Sequence, residues 1–250
     1  MKATAILMLL PFLLLFAGCG DDSSESGQFK ANVHNFVSDK PLSGVKVWAL
    51  NNTTGEKLPN VDPQVSDGSG WVVFNNLPDE EVGFLCEGEG AGTSRTKADT
   101  YQFNIDSGAQ DEKLWSVDGN TYNVAPLGAH LNLDATKGVA AGAVYWVNDS
   151  GEEEIVGCAT VKTKPEGGEA RYFTAARLPV PIEDQSVTDT STGYFLVGNI
   201  SVGDVDLEAY VGETKIGSVH FVVKPDSICI GNIYAERSKF TANPMPASCK

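Results

Sequence analysis

The sequence predicts an all-β protein, two tandem β-sandwiches behind a cleaved leader. Three observations predict it. Short apolar–polar alternations recur and are broken by turns rich in Gly, Asn and Asp, as strands and their connections require. After the leader, no stretch of ten or more residues shows helical periodicity. A set of motifs also occurs twice, in one order, at a domain-sized spacing. That spacing argues for tandem domains, because solenoid repeats run about 20–50 residues.

The leader comes first. Lys2 supplies a positive start, and Ala5 to Ala17 is apolar except for Pro11. Such a run suits a signal peptide and falls short of the ~20 residues that span a bilayer. It ends in Phe16-Ala17-Gly18-Cys19. This resembles the lipobox of bacterial lipoproteins, where small residues precede a cysteine that is lipidated and becomes the mature N-terminus. Phe16 departs from the Leu, Val or Ile usual at its position. The resemblance implies that residues 1–18 are removed and that Cys19 carries a palmitate-type anchor into the lipid bilayer. Residues 19–27 continue as Gly20-Asp21-Asp22-Ser23-Ser24-Glu25-Ser26-Gly27, polar and small, and read as a flexible tether. In that family Asp directly after the cysteine retains the protein in the inner membrane. Here Gly20 follows, so the resemblance implies the outer membrane.

The two copies come next. Gly44-Val45-Lys46-Val47-Trp48 is matched with Gly142-Ala143-Val144-Tyr145-Trp146, and the segments before them, Phe29–Phe36 and Ala129–Leu133, read as first strands. Val65-Ser66-Asp67 matches Val187-Thr188-Asp189, and Gly70 to Leu77 matches Gly193 to Ile200. Val82 and Phe84 match Val205 and Leu207. Val72, Phe74 and Leu77, and Phe195, Val197 and Ile200, form the inward rows. These matches predict a first sandwich over residues 28–119 and a second over 122–237. A tail, 238–250, follows. The join falls near Val117–Asn123, where Asp118-Gly119-Asn120 breaks the strand pattern, and separate folding of the two units is expected.

Pro41-Leu42-Ser43-Gly44-Val45-Lys46-Val47, followed by Ser66-Asp67-Gly68-Ser69-Gly70-Trp71-Val72-Val73-Phe74-Asn75-Asn76-Leu77-Pro78, resembles the carboxypeptidase regulatory-like, or transthyretin-like, domain. Thr188 to Ile200 repeats the second motif. The resemblance covers roughly residues 29–117 and 124–237. It implies prealbumin-like, Ig-like seven-stranded sandwiches with an accessory, adhesive or stalk role and no enzymatic activity.

Copy two is longer by about two dozen residues within 152–181, and an insertion of this kind is where binding is added to a scaffold. There Ile155–Val161 and Ala170–Thr174 are expected to form a hairpin around Glu166-Gly167-Gly168.

The chemistry-bearing residues point away from catalysis. Formal net charge is −15. An acidic surface repels phosphate backbones, so no nucleic acid is expected as a partner. His34, His130 and His220 have no metal-type spacing, and His34 and His130 are read as falling in the same strand region of the two copies, one residue out of register. No nucleophile elbow, phosphate loop or Cys-x-x-Cys occurs, so no cofactor and no metal are expected. The acids Asp79-Glu80-Glu81 and Glu152-Glu153-Glu154 read as solvated turns. Asp67-Gly68-Ser69-Gly70 lacks the donor spacing of a calcium loop. Lys30 and Glu87 resemble, loosely, the isopeptide-forming pair of Cna protein B-type domains, but copy two has Leu131-Asn132-Leu133 in place of the lysine. Trp48 with Trp146, and Trp71 with Tyr194, are read as equivalent pairs. Trp48, Trp71, Trp115, Trp146 and Tyr194 offer faces on which sugars stack. The expected function is non-catalytic binding, adhesion or support in the envelope, toward an envelope protein. The alternative is a carbohydrate-binding surface lipoprotein that uses these aromatics and the 152–181 insertion.

Four cysteines remain: Cys86, Cys158, Cys229 and Cys249. An exported chain meets an oxidising compartment. Cys86, alone in copy one, is expected to stay reduced as a buried apolar group. Three complete pairings are possible and sequence does not choose among them. A Cys229–Cys249 bridge closes a loop of about twenty residues, worth ~3 kcal/mol in the chain-entropy model, and would hold a Pro-rich tail. Cys158–Cys249 is the other pairing considered.

Overall fold

The computed structural model describes residues 28–175, 179–180 and 184–236. The leader, the tether with Cys19, and the tail with Cys249 lie outside the described residues.

The first half contains β1 (Phe29–Asn35), β2 (Lys46–Asn51), β3 (Gln64–Val65), β4 (Trp71–Phe74), β5 (Glu81–Cys86), β6 (Thr100–Asp106) and β7 (Glu112–Ser116). β1 lies between antiparallel β4 and parallel β7 in a three-stranded sheet. The facing sheet runs β3-β2-β5-β6. The alternation of β1 (Phe29, Ala31 and Val33 buried) packs one row against Phe74, Phe84 and Leu114. Phe29 stacks on Phe84 with ring centroids 4.4 Å apart. The inward row expected of β4, Val72, Phe74 and Leu77, is buried.

A helix, α1 (Gly119–Gly128), then joins the halves, where the sequence suggested only a break between strands. Asp118 caps it by accepting from Thr121 N at 2.8 Å, the usual service of Asp at a helix start. Tyr122 and Pro126, four residues apart, face inward, but Val124 and Leu127 face solvent and Pro126 sits inside the helix. The apolar residues therefore do not collect on one stripe, and helical periodicity fails to show. Ala129–Leu133, expected as a strand, is irregular chain leading away from α1.

The second half contains β8 (Gly138–Val147), β9 (Glu153–Ile155), β10 (Ala159–Lys164), β11 (Glu169–Phe173), β12 (Pro179–Val180), β13 (Tyr194–Ile200), β14 (Gly203–Val211), β15 (Thr214–Val223), β16 (Ile228–Ile230) and β17 (Ile233–Ala235). One sheet is β10-β14-β15. The other side of the sandwich is β11-β13-β8, with β17 parallel to β8. The row Phe195, Val197 and Ile200 is buried as expected.

Strand register corrects the match between the copies. Trp71 pairs with Asn32 of β1, and Tyr194 pairs with Ala143 of β8. So β8 answers to β1, not to β2, and Gly142–Trp146 is not the counterpart of Gly44–Trp48. The counterpart of β2 is β10, since Ala49 lies opposite Phe84 and Thr163 opposite Leu207. Side chains agree. Ser66 Oγ accepts from Val45 N at 2.9 Å and donates to Leu42 O at 2.7 Å. Thr188 Oγ1 accepts from Ala159 N at 2.9 Å and donates to Val156 O at 2.9 Å. Leu42–Val47 thus corresponds to Val156–Val161, and Gly44 to Cys158, both with positive φ. A glycine followed by apolar residues marks a strand in either place but does not say which strand.

The hairpin expected within 152–181 is corrected by the same register. β10 pairs with β14 and β11 with β13, so the two segments lie in opposite sheets. They meet across the core, where Val161 N donates to Tyr172 Oη at 2.8 Å. What copy two adds is β11 and β12, which extend the sheet beyond β13.

The halves are joined more closely than the sequence suggests. β16 pairs in parallel with β8 on one side and with β6 of the first half on the other. The result is one sheet of eleven strands: the path β12-β11-β13-β8-β16-β6-β5-β2-β3, with β9 and β17 pairing to β8 off that path. Leu50, Leu85 and Phe103 of the first half belong to the same buried cluster as Phe195, Leu207 and Phe221 of the second. A further cluster at the junction joins Ala98, Val117 and Tyr122 to Val139, Ala141, Leu196 and Ile228.

Cysteine states follow from this packing. Cys86 and Cys229 are free and fully buried. Cys86 is reduced, as the sequence suggests. For Cys229 this is a correction: it is a free thiol, buried in β16 in the middle of the shared sheet. Cys158 is disulfide-bonded, with its partner outside the described residues. Burial pushes each of the two free thiols up to about 12. A thiol reagent is therefore expected to modify neither Cys86 nor Cys229 in the native protein and both after denaturation. The raised values also fix a pH dependence. The unfolded chain loses these protons first, near pH 9, so their contribution is intact below that pH and is lost as pH rises toward 12. Urea unfolding at stepped alkaline pH measures it.

Candidate functional site

The junction of the halves leaves a cleft over the shared sheet. Its floor is set by register: Ala141 of β8 pairs with Leu196 of β13 on one side and Ile230 of β16 on the other. Val139 and Ile228 form the next rung of the same face. One wall is α1, with Tyr122, Ala125 and Pro126. The other is Phe36 and Val37, at the turn that ends β1, with Val117. Asn35 Oδ1 holds this turn by accepting from Val37 N at 3.1 Å and Ser38 N at 2.8 Å. Val37 is left 65% exposed, and Val124 is 54% exposed on the helix, so the rim of the cleft is apolar too.

The cleft holds about 560 Å³. A second hollow of about 230 Å³ continues it along β8 to Gly142 and Tyr145, and the two share Phe36, Val37, Ala141 and Phe173. The space exists because the residue β8 presents here at the sheet centre is Ala141, a side chain too short to reach the helix. Among the described residues, no Asp, Glu, Lys, Arg or His lines either hollow. Burial pushes the Tyr122 hydroxyl up to about 12, so this wall stays neutral. Rings in the second hollow meet edge to face, Phe36 with Trp115 at 5.8 Å and Phe173 with Tyr194 at 6.1 Å.

Beside the helix, a partly buried clamp fixes the geometry. The Arg95 guanidinium pairs with the Asp226 carboxylate, donates to Asp226 O at 3.0 Å and covers the Tyr122 ring at 4.5 Å. Arg95 belongs to the first half, Asp226 to the second and Tyr122 to the connecting helix, so one side chain ties all three.

The residues singled out in sequence lie elsewhere. Cys19 and Cys249 are outside the described residues. His34 bonds Asp39 at 2.7 Å, and His220 bonds Asp206 at 3.0 Å. His130 follows α1, exposed and with positive φ, so it is not the strand counterpart of His34. Among the described residues no three His, Cys, Asp or Glu side chains converge as metal ligands. Asp67 Oδ1 is occupied by Ser69 N and Trp71 N, which makes its loop a closed turn. Lys30 pairs with Asp111 and Glu87 with Lys46, so these two do not form an isopeptide arrangement. Glu152 and Glu154 accept from Asn148 in a surface hairpin.

Lysines lie over three of these aromatics. Lys57 sits 3.5 Å from the Trp48 ring centroid, Lys30 4.1 Å from that of Trp71, and Lys113 5.1 Å from that of Trp115. Trp146 is partly buried against the main core, and its expected equivalence with Trp48 falls with the register. A third hollow, about 470 Å³ and more polar, adjoins the second at Trp115, Ile230 and Asn232. Its amides are already in use: Gln102 bonds Trp115 N at 2.9 Å, and Asn104 donates to His220 O at 3.0 Å. Sequence reasoning missed the apolar cleft. The one signal for it was the run of small residues in β8.

The sequence matches no protein-family model and no curated protein sequence. Among solved structures, the chain is similar to the minor pilin of Streptococcus agalactiae, at 12% identity and a TM-score of 0.28 over 89% of this chain and 100% of that one. It is also similar to the shaft pilin of Lactobacillus rhamnosus GG, at 10% identity and 0.25 over 88% and 99%. A streptococcal ancillary pilin is similar at 15% identity and 0.28, over 86% of this chain and 64% of that one. Likeness at this level names no ligand and no partner. Among the described residues, no helix is long and apolar enough to cross a membrane.

Proposed function

We propose that the chain is a non-catalytic lipoprotein of the cell envelope, anchored through an acyl group on Cys19 in the outer membrane, and that it works by binding. The observation that carries the binding part is the uncharged cleft between the halves. It lies in the range of ~300–1,000 Å³ typical of ligand sites, is lined mainly by apolar side chains, and sits at an interface of two units. The shared sheet and the Arg95 clamp hold its walls in place without a bound partner, which lowers the ordering cost of binding. The anchoring part is supported by the leader, by Phe16-Ala17-Gly18-Cys19 and by the polar tether that follows. The lysines over Trp48, Trp71 and Trp115 weigh against sugar stacking, so we favour an apolar partner over a glycan.

Cys19→Ser tests the anchor. The variant is expected to leave the membrane fraction and appear in soluble extract, because among the described residues no helix is long and apolar enough to cross a membrane. Sedimentation as firm as that of the unaltered protein would overturn it.

A further inference from the structure

We propose that the cleft between α1 and the shared sheet holds one uncharged aliphatic chain, the hydrocarbon part of a neutral lipid. This names the ligand class for the binding reading above and does not depend on lipidation at Cys19.

Volume is the first argument. Interiors are close-packed, and an apolar void costs stability in proportion to its size. A cleft of about 560 Å³ that persists beneath a clamped helix is a site shaped for an occupant. Shape is the second. Together the two hollows follow β8 from Val139 to Tyr145, about 20 Å at ~3.3 Å per residue. The hydrocarbon of one bilayer leaflet is about 15 Å thick, so a single extended acyl chain fits the length.

Charge sets the head group. With no Lys or Arg in the lining and a net charge of −15 on the chain, a carboxylate or phosphate head finds no partner there. The polar groups at the helix end are Asn120 and Thr121, suited to a hydroxyl or ester. A peptide is the poorer occupant. Its backbone N–H and C=O groups would enter a lining with few donors and acceptors, and unpaired buried groups are costly.

The test uses the full mature chain with Cys19→Ser and the uncharged dye N-phenyl-1-naphthylamine, displaced by 1-hexadecanol or by hexadecanoate. Hexadecanol is expected to displace the dye with one site per chain, and hexadecanoate at alkaline pH to bind at least about tenfold more weakly. Ala141→Leu, which fills the floor, is expected to weaken hexadecanol about tenfold or more while Tm holds or rises. Should Ala141→Leu fail to fold, Val124→Glu puts a charge on an exposed position at the rim and is expected to cause the same loss. No uptake of hexadecanol, equal affinity in both variants, or equal affinity for hexadecanoate would each overturn the proposal. Self-association abolished by Val124→Glu, without hexadecanol uptake, would also overturn it. That last result would leave the binding reading standing with a second copy as the partner.

Discussion

Residues 27–119 and 122–250, produced as separate chains, are expected to be destabilised alone and to recombine when mixed, with a Kd of about a micromolar or tighter. Cutting there removes β16 from β6 and leaves a row of unpaired backbone groups on that edge. It also uncovers Leu50, Leu85 and Phe103, which are buried against the second half in the intact chain. The second piece loses Ala98, Val117 and the Arg95 clamp from its junction. Titration calorimetry of one piece into the other measures the recombination. Two natively dispersed NMR spectra that do not change on mixing would show that the halves are independent.

Gly142→Ala is expected to lower stability by about 3 kcal/mol, with a fall in Tm of about 10 °C for a chain of this size. Gly142 lies in β8 between the residues paired to β16 and those paired to β17, and an added Cβ would overlap the carbonyl oxygen of Gly231. That neighbour is backbone, in a segment tied to β8 by the pairings of β16 before it and β17 after it, so it has little room to move. On its other side the Cβ would crowd the Phe195 ring at 3.2 Å. Gly128→Ala is the control. Nothing lies within 4 Å of a Cβ there, at the end of α1, and the change is expected to be neutral or slightly stabilising. Thermal unfolding of both variants decides the point. An unchanged Tm in Gly142→Ala would mean that β8 and Gly231 do not approach this closely.

The parts of the fold that were legible in sequence rest on local rules. The rows Val72–Phe74 and Phe195–Val197 alternate at period two, and both are buried as that period requires. Ser66 and Thr188 were paired from sequence, and they do make the same two hydrogen bonds in their sandwiches. The cysteines show where this reading stops. Cys86 and Cys229 both lie in short apolar runs, and only the place of β16 between β6 and β8 makes Cys229 as unreachable as Cys86.

By itself, then, the sequence determined the all-β class, the doubling of the unit and the inward rows, because strand period and turn chemistry act over a few residues. It could not order the strands of the second copy. Gly142–Trp146 and Gly44–Trp48 have the same local pattern, and assignment to β1 or β2 is made by partners some fifty residues away in sequence, Ala143 with Tyr194 being one. It could not show that β16 joins two sandwiches into one sheet, since three buried residues, Ile228 to Ile230, look alike in any central strand. The cleft follows from these two decisions. Only when β8 is central, α1 lies across it and Arg95 holds them together does Ala141 become a floor with open space above, a property of distances between segments that no single segment contains.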